Sequence, residues 1–454
     1  MIDPSAAIGP SEGEPSPAPG QPEDGAVVRL LRDRPTTGIK WGLDRTRAIL
    51  SGLGDPQESF ESYHVGGTNG KGSVSVLAGA LLAAAGLRTG LYLSPHMIRF
   101  AERVRVPPDR RPAPPDLLEE CAERVAPLAD RAGASRFEAI TALGFLALAE
   151  TGVEAACVEV GLGGRLDATN VLRPRGAAVV TVALDHGEFL GETLAEVARE
   201  KAGILKPGAP AAVGRVPREA AEVLEARARE VDAPLHRLGR EALVEDVEVT
   251  AAPSGETRFR YVSRRRPEGV ALRVPLAGRH QADNAALALL LVEAAGPDVE
   301  EEEVRRALAG VRHPGRLQLV EREGLWVLDV AHNPAAVEAV LTAVREMGAP
   351  DPRVGVVSVL RDKPWREMVS RLADGLDAVV CTVPASADPA RRWRLEEVDA
   401  ALEGRVECVR DPGDALRRAR ELAGDGTVLV TGTTALVGDA LQALDDERKQ
   451  RGRE

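Results

Sequence analysis

The segment Gly67-Thr68-Asn69-Gly70-Lys71-Gly72-Ser73 constrains this chain more than any other stretch, because three glycines and a lysine separate a strand-like run from a helix-forming one. Ser62-Tyr63-His64-Val65 reads as a strand, and Val74 to Ala85 reads as an apolar, alanine-rich helix. A loop of this kind aims backbone N–H groups at a helix N-terminus, where free donors and the helix dipole both favour phosphate. In that geometry Lys71 reaches the outer phosphates of a nucleotide and the Ser73 hydroxyl sits on its magnesium ion. The strict Walker pattern fails twice. It requires glycine where Val65 stands, and Ser or Thr directly after the lysine, where this chain has Gly72. Taken alone, such a loop serves either a nucleotide site or an ordinary tight turn.

At 454 residues the chain exceeds one ordinary core and implies two or three domains. No apolar run has the length of a membrane span, and the N-terminus lacks the basic and apolar regions of a secretion signal, so the cytoplasm is the expected compartment. Cys121, Cys157, Cys381 and Cys408 form no Cys-x-x-Cys pair and read as small buried residues. A net charge of −12 argues against a general nucleic-acid or membrane surface, so an anionic ligand must be held locally. Among 58 Lys and Arg only six are lysines, at 40, 71, 201, 206, 363 and 449. Because arginine supplies most of the cations, Lys71, Lys201 and Lys363 are marked for tasks a guanidinium cannot perform.

Residues 1–25 are rich in Pro, Gly, Ser and acidic side chains and read as a disordered tail. From Val27 to about Gly310 strands alternate with helices. The strands are expected at Thr89 to Leu93, Ala155 to Val160 and Ala177 to Leu184, with helices at Asp116 to Arg131, Phe137 to Glu150 and Thr193 to Leu205. That alternation predicts an α/β fold whose phosphate-loop domain has a mostly parallel sheet. Period-two character from Val244 to Val274 predicts a small antiparallel appendage on that sheet. After His313-Pro314-Gly315 a second, Rossmann-like α/β domain is expected over 311–445, with strands near Leu325 to Val330, Val354 to Val359, Ala378 to Thr382, Val406 to Val409 and Thr427 to Val430. Residues 446–454 read as a polar tail.

Open parallel sheets bind ligands outside the carboxyl ends of their strands. The predicted strands end at the phosphate loop, at Ser94-Pro95-His96, at Glu159 and at Asp185-His186. A carboxylate inside the apolar run Ala155 to Val160 is costly unless it is paired or holds a metal. Glu159 therefore reads as a salt-bridge partner or a ligand, and His186 as a helix cap, a core histidine or a ligand. With Ser73 they resemble a magnesium site facing a nucleotide. Lys201 falls on the apolar stripe of its helix with Leu194 and Val197 and points inward. Either it snorkels past the helix end or burial lowers its pKa and makes the amine chemically usable.

These residues resemble the folylpolyglutamate synthase/dihydrofolate synthase family, part of the Mur ligase superfamily. The motifs are GTNGKGS at Gly67, LYLSPHMIRFAERV at Leu91, FEAIT at Phe137, VEVGLGGRLDATN at Val158 and LDHGEFLG at Leu184. EKAGILK at Glu200, GRHQADN at Gly278, HPGR at His313, LDVAHNP at Leu328 and TGTTALVGDA at Thr431 follow in the family's order. Small departures are Gly66, where alanine is commoner, and Val330, where many members have glycine. The resemblance implies that a pteroate or folyl-glutamate carboxylate takes the γ-phosphoryl group of ATP and is then attacked by L-glutamate, giving amide, ADP and phosphate. It implies that Ser73, Ser94 and Glu159 surround one magnesium ion, His186 a second, and that Lys201 is carbamylated by CO2 beside the second. Lys71 and the loop from Gly67 through Thr68, Asn69, Gly70, Gly72 and Ser73, with Gln281, Asn284, Arg316, Asp329 and nearby His332, are the implied ATP contacts. Phe137, Glu138, Arg165, Leu166, Asp167 and Ala168 match the pteridine region. ATP is then expected in a cleft between domains, and the chain is expected to act as a monomer on dihydropteroate or reduced folates. Competing readings are another Mur-type amino-acid ligase, a non-ligating nucleotide switch and a dehydrogenase. Too few residues precede the loop for the nucleotide-sugar domain of a cell-wall ligase; no Asn-Lys-x-Asp motif supports a switch; no Gly-x-Gly-x-x-Gly turn supports a dehydrogenase.

Overall fold

The computed structural model describes residues 25–32, 34, 42–384 and 386–451, with side chains to 446. Of the tail expected over 1–25, all but Gly25 lies outside the described residues. The first sheet contains β1 (Glu61–Gly66), β2 (Thr89–Tyr92), β3 (Val104–Val106), β4 (Arg111–Pro112), β5 (Ala155–Glu159), β6 (Gly176–Val179), β7 (Ala211–Val213) and β8 (Leu235–Arg237). Their order is β4-β3-β2-β5-β1-β6-β7-β8. Only the β2–β3 and β3–β4 pairings are antiparallel. The strand feeding the phosphate loop therefore lies inside the sheet, hydrogen-bonded to β5 and β6.

Both faces of this sheet are covered, which is why its strands read as continuous apolar runs. Tyr63 and Val65 of β1, with Ala155 and Cys157 of β5, pack toward the helices Lys71–Ala84 and His280–Ala295. Ala156 and Val158 face the opposite way, onto the helices Pro115–Ala132 and Arg136–Glu150. Each fully buried aliphatic side chain in these layers contributes roughly 1.5–3 kcal/mol. Sheet and helices form a rigid frame for the loops at the strand ends.

The strand expected to reach Leu184 ends at Val179. Beyond it the chain turns to the phosphate loop: Thr68 N donates to Thr181 O (2.9 Å), and Thr181 Oγ1 accepts from Asn69 N (2.9 Å). The helix expected over Thr193 to Leu205 spans Leu194–Ala202, begun by a Thr193/Glu196 capping box and ended at Gly203. The antiparallel piece is a separate three-stranded sheet, β9 (Ala242–Val249), β10 (Thr257–Ser263) and β11 (Val270–Val274), rather than an extension of the main one. Its Phe259, Tyr261 and Leu272 are buried against the His280–Ala295 helix, with Tyr261 Oη donating to Glu293 Oε2 at 2.9 Å.

A second sheet system begins after the helix Glu301–Ala309. It comprises β12 (Gln318–Glu321), β13 (Leu325–Leu328), β14 (Arg353–Val357), β15 (Ala378–Cys381), β16 (Glu407–Cys408) and β17 (Thr427–Thr431), ordered β12-β13-β17-β14-β15-β16. Only β12 pairs antiparallel. Alternate residues of β13, β14 and β17 feed cores on its two faces. The last helix, Thr434–Arg451, runs through most of the expected polar tail. Met97, from the loop after β2, packs against a core of this second sheet, so the strand-end loops of one sheet system touch the other.

Candidate active site

The phosphate loop crosses from β1 to the helix Lys71–Ala84 with Gly70 at the cap in left-handed backbone (φ 84°). A Cβ at Gly70 would stand 2.7 Å from Asn284 Oδ1, so glycine is required for conformation and for space. Gly72 explains the broken Walker pattern. A Cβ there would meet His313 Nε2 at 3.0 Å and Glu159 Oε2 at 3.4 Å. The place where a Walker hydroxyl would project is taken by a histidine at the edge of the second sheet system, and the hydroxyl moves to buried Ser73. Lys71 Nζ donates to Thr68 O at 3.1 Å, folding the side chain back over the loop.

Glu159 ends β5 and is buried, with Oε2 accepting from Ser94 N at 2.9 Å. The expected trio thus converges at the loop helix: Ser94 bonds Glu159, and Glu159 approaches Gly72, next to Ser73. Both ring nitrogens of His313 are buried and lack a hydrogen-bond partner among the described residues. Burial holds its pKa well below the ordinary value, with the charges of Arg316 and Arg105 adding to the effect.

Lys201 is 2% exposed, and its side-chain amine makes no hydrogen bond or ion pair among the described residues. Burial, then the charge of Lys71, lowers its pKa to about 7, against the opposing pull of Asp185 and Glu200. A substantial neutral fraction exists near neutral pH. The inward lysine of the sequence reading is therefore a buried amine rather than a snorkelling one.

Asp185 is the hub between the two sheet systems. Its Oδ1 accepts from Lys363 Nζ at 2.9 Å, its Oδ2 accepts from Asn333 Nδ2 at 3.3 Å, and His332 Nε2 lies 3.8 Å from Oδ2. Burial alone would raise its pKa, but Lys363, His186 and His332 outweigh burial and hold it well below the usual carboxylate range. Lys363 Nζ also lies 2.8 Å from His186 Nε2. Asn333 caps the helix Pro334–Glu346 through Ala336 N and exchanges amide hydrogen bonds with Asn69 of the phosphate loop, 2.8 Å and 3.3 Å.

Of the expected nucleotide residues, Asn284 comes close to the same loop, at Gly70. Asn284 Nδ2 donates to Gln281 Oε1 at 3.0 Å, and both are buried on the helix that packs against the loop helix. Burial pushes Asp329 up to about 6, opposed by the Arg316 charge and by N–H donors of Leu317 (2.9 Å) and Ala331. In the pteridine region, the Phe137 ring and Asp167 Oδ2 both lie against Gly161, 2.3 Å and 3.0 Å from where its Cβ would be. Glu138 is already engaged, bonded to Ser135 N in a capping box and paired with Arg45 at 3.0 Å. Asp167 accepts from Thr169 N and Leu162 N, which orients the turn that includes Leu166 and Ala168. Arg165 pairs with Glu200 at 2.8 Å, and Arg165 N donates to Glu200 O at 2.8 Å, tying this turn to the helix carrying Lys201.

No group of three or more His, Cys, Asp or Glu side chains able to hold a metal exists among the described residues. The donor set fits magnesium nonetheless, since that ion takes one or two carboxylates and completes its shell with phosphate oxygens and water. The Glu159 carboxylate with the Ser73 and Ser94 hydroxyls would be the protein's share of the first ion's shell. A second ion at His186 would need an anionic ligand, which a carbamate on the buried Lys201 amine could provide. Asp185, Asn333 and His313 were absent from the expected site residues, although each lies inside a motif that had been read. Arginine-rich composition had flagged Lys363 without giving it a place.

Family models and known proteins match this chain over most of its length. Residues 65–292 match the Mur ligase middle domain, and residues 315–434 match the Mur ligase glutamate ligase domain. The chain is 35% identical over 426 residues to a probable bifunctional folylpolyglutamate synthase/dihydropteroate synthase of Haloferax volcanii, covering 91% of this chain and 50% of that one. It thus spans about half of that relative. It is 32% identical over 419 residues to the dihydrofolate synthase/folylpolyglutamate synthase of Bacillus subtilis, covering 90% of this chain and 96% of the relative. Among solved structures, Mycobacterium tuberculosis folylpolyglutamate synthase complexed with ADP and AMPPCP superposes with TM-score 0.83 at 32% identity, covering 92% and 97% of the two chains. Escherichia coli FolC in complex with DHPP and ADP does so with TM-score 0.83 at 28% identity, covering 95% and 100%.

Proposed function

The chain belongs to the folylpolyglutamate synthase/dihydrofolate synthase family of Mur ligases, and from that premise we propose that it joins L-glutamate to a pteroate or folyl-glutamate carboxylate at the expense of ATP. We take residues 26–310 as the nucleotide- and folate-binding unit and 311–445 as the glutamate ligase unit. The loop amides and Lys71 hold the phosphates, and Arg316, Asp329, Gln281 and Asn284 hold the rest of the nucleotide. Phe137 stacks on the pterin, and the turn Arg165 to Ala168 flanks it, with Asp167 oriented by its backbone donors.

Phosphoryl transfer depends chiefly on position and charge. Magnesium at Ser73, Ser94 and Glu159, with a second ion at His186 and carbamylated Lys201, would supply charge neutralisation at the transferring group. The residues do the rest. The loop fixes the γ-phosphate in line with the folate carboxylate, and apposition of the second domain keeps water from the acyl phosphate.

One observation carries this reading: a lysine side chain buried without a partner, its pKa lowered by that burial and then by the charge of Lys71 of the phosphate loop. Carbamylation requires a neutral amine, and a nucleotide switch has no use for one. Phosphate release measured with ATP, magnesium and glutamate tests the reading, with dihydropteroate and tetrahydrofolate supplied separately. Release with one or both identifies the accepted carboxylate. Equal release with neither refutes the folate assignment.

A further inference from the structure

Lys363 belongs to the second sheet system, in the segment between β14 and the helix Trp365–Gly375, yet its side chain ends in the first. Its ammonium lies 2.9 Å from Asp185 Oδ1 and 2.8 Å from His186 Nε2. An ammonium has three protons and no lone pair, so it only donates. In this contact His186 Nε2 is therefore the acceptor, its lone pair aimed at a compact cation as it would be toward a metal ion.

The backbone around Lys363 is pinned. Lys363 N donates to Leu360 O at 3.0 Å, Arg361 N to Arg391 O at 2.9 Å, and the buried Arg391 pairs with Asp362. The side chain has room to move. A cavity of about 260 Å³ adjoins it, lined by Leu184, Asp185, His186, Phe189, Asp362 and Pro364 among others. A four-carbon chain can swing into that space without shifting the pinned loop.

We infer that Lys363 is a positioning residue that stands in for a divalent cation at Asp185 and His186, and that it must withdraw into the adjoining cavity when a cation takes the His186 lone pair. The two cations cannot share one lone pair. Loading of the second ion is thereby coupled to loss of a contact between the domains, and the corner is never left as an uncompensated buried carboxylate when the ion is absent. A lysine suits this role because it is a compact point charge, whereas a guanidinium is a planar fork. The inference rests on the proposed placement of a cation at His186.

The test uses the full chain with AMPPCP and manganese as the probe, counting bound ions from the electron paramagnetic resonance of free Mn2+. Lys363→Met is expected to bind the second Mn2+ about tenfold more tightly than the unsubstituted protein, a normal size for coupling between sites. Binding of the nucleotide-linked first ion stays the same. The magnesium concentration giving half-maximal turnover falls in parallel, which a merely structural lysine would not produce. Lys363→Gln, which keeps a neutral donor, is expected to do the same and serves if the methionine variant does not fold. His186→Ala abolishes the second site in either background. Unchanged second-ion affinity in both Lys363 variants, while His186→Ala still removes that ion, overturns the inference and leaves the proposed function standing. Retention of both ions in His186→Ala instead overturns the cation placement on which it rests.

Discussion

Replacing Lys201 by methionine tests the state of the buried amine through the pH dependence of stability. In the folded chain burial lowers its pKa from the ordinary 10.5 to about 7, and in the unfolded chain it returns to the ordinary value. Between these two pH values the unfolded chain binds one more proton than the folded chain. Stability therefore rises with pH across that window, by about 1.4 kcal/mol per pH unit and roughly 5 kcal/mol in total. Below about pH 7 both states are protonated and the full penalty persists. Lys201→Met has no proton to bind, so its stability lacks this slope while its packing volume is nearly kept. Urea unfolding followed by circular dichroism in CO2-free buffer, from about pH 7.5 to about pH 9.5, measures the difference. The stability gap between variant and unsubstituted protein is expected to shrink by about 3 kcal/mol over that interval, because other titrating groups cancel in the comparison. Parallel stability curves would refute the reasoning, since they would mean a lysine protonated and paired in the folded state. Added bicarbonate is expected to stabilise the unsubstituted protein and not the variant.

Three further outcomes follow from the site geometry. Gly72→Ser restores the Walker hydroxyl but drives a Cβ to 3.0 Å from His313 Nε2, so kcat/KM for ATP should fall by about tenfold or more, as small displacements of a phosphate site do; unchanged kinetics would contradict the crowding. Asn333→Ala removes a helix cap and the amide exchange with Asn69, costing about 1 kcal/mol of stability and raising KM for ATP, whereas Asn333→Asp keeps the cap but sets a carboxylate beside Asp185, so stability recovers in part and activity does not. Calorimetry and steady-state kinetics separate the two. Glu159→Gln keeps the acceptor for Ser94 N but loses the charge, so the magnesium requirement should rise by about tenfold or more; an unchanged requirement counts against a ligand role.

Much of this site was legible in the sequence because its signals are local. A glycine loop between strand and helix, a carboxylate in an apolar run and a lysine on an apolar stripe each break a rule that the surrounding residues obey, and each breach leads into the cleft. What escaped is non-local. Gly72 looks like a defect in a motif until His313, more than two hundred residues away, is seen against it. Asp185 was passed over for its neighbour His186 because nothing local tells that Lys363 and Asn333 meet it. The strand expected to reach Leu184 stopped at Val179 because Thr181 bonds the phosphate loop, and β-propensity is blind to that competition. Short strands such as β3, β4 and β7 were missed for a similar reason: two or three residues carry little periodicity, and their pairing partners decide their state. The continuous apolar runs of β5 and β17 were found because both sheet faces are buried.

The central claim is that the folate carboxylate is activated by direct phosphorylation before glutamate attacks. Oxygen-18 placed in the reacting carboxylate of the substrate follows that bond. If the carboxylate takes the γ-phosphoryl group, one labelled oxygen leaves with the phosphate when the amide forms, and mass spectrometry of the released phosphate finds the label in proportion to product. Glutamylated product accompanied by unlabelled phosphate would contradict the account.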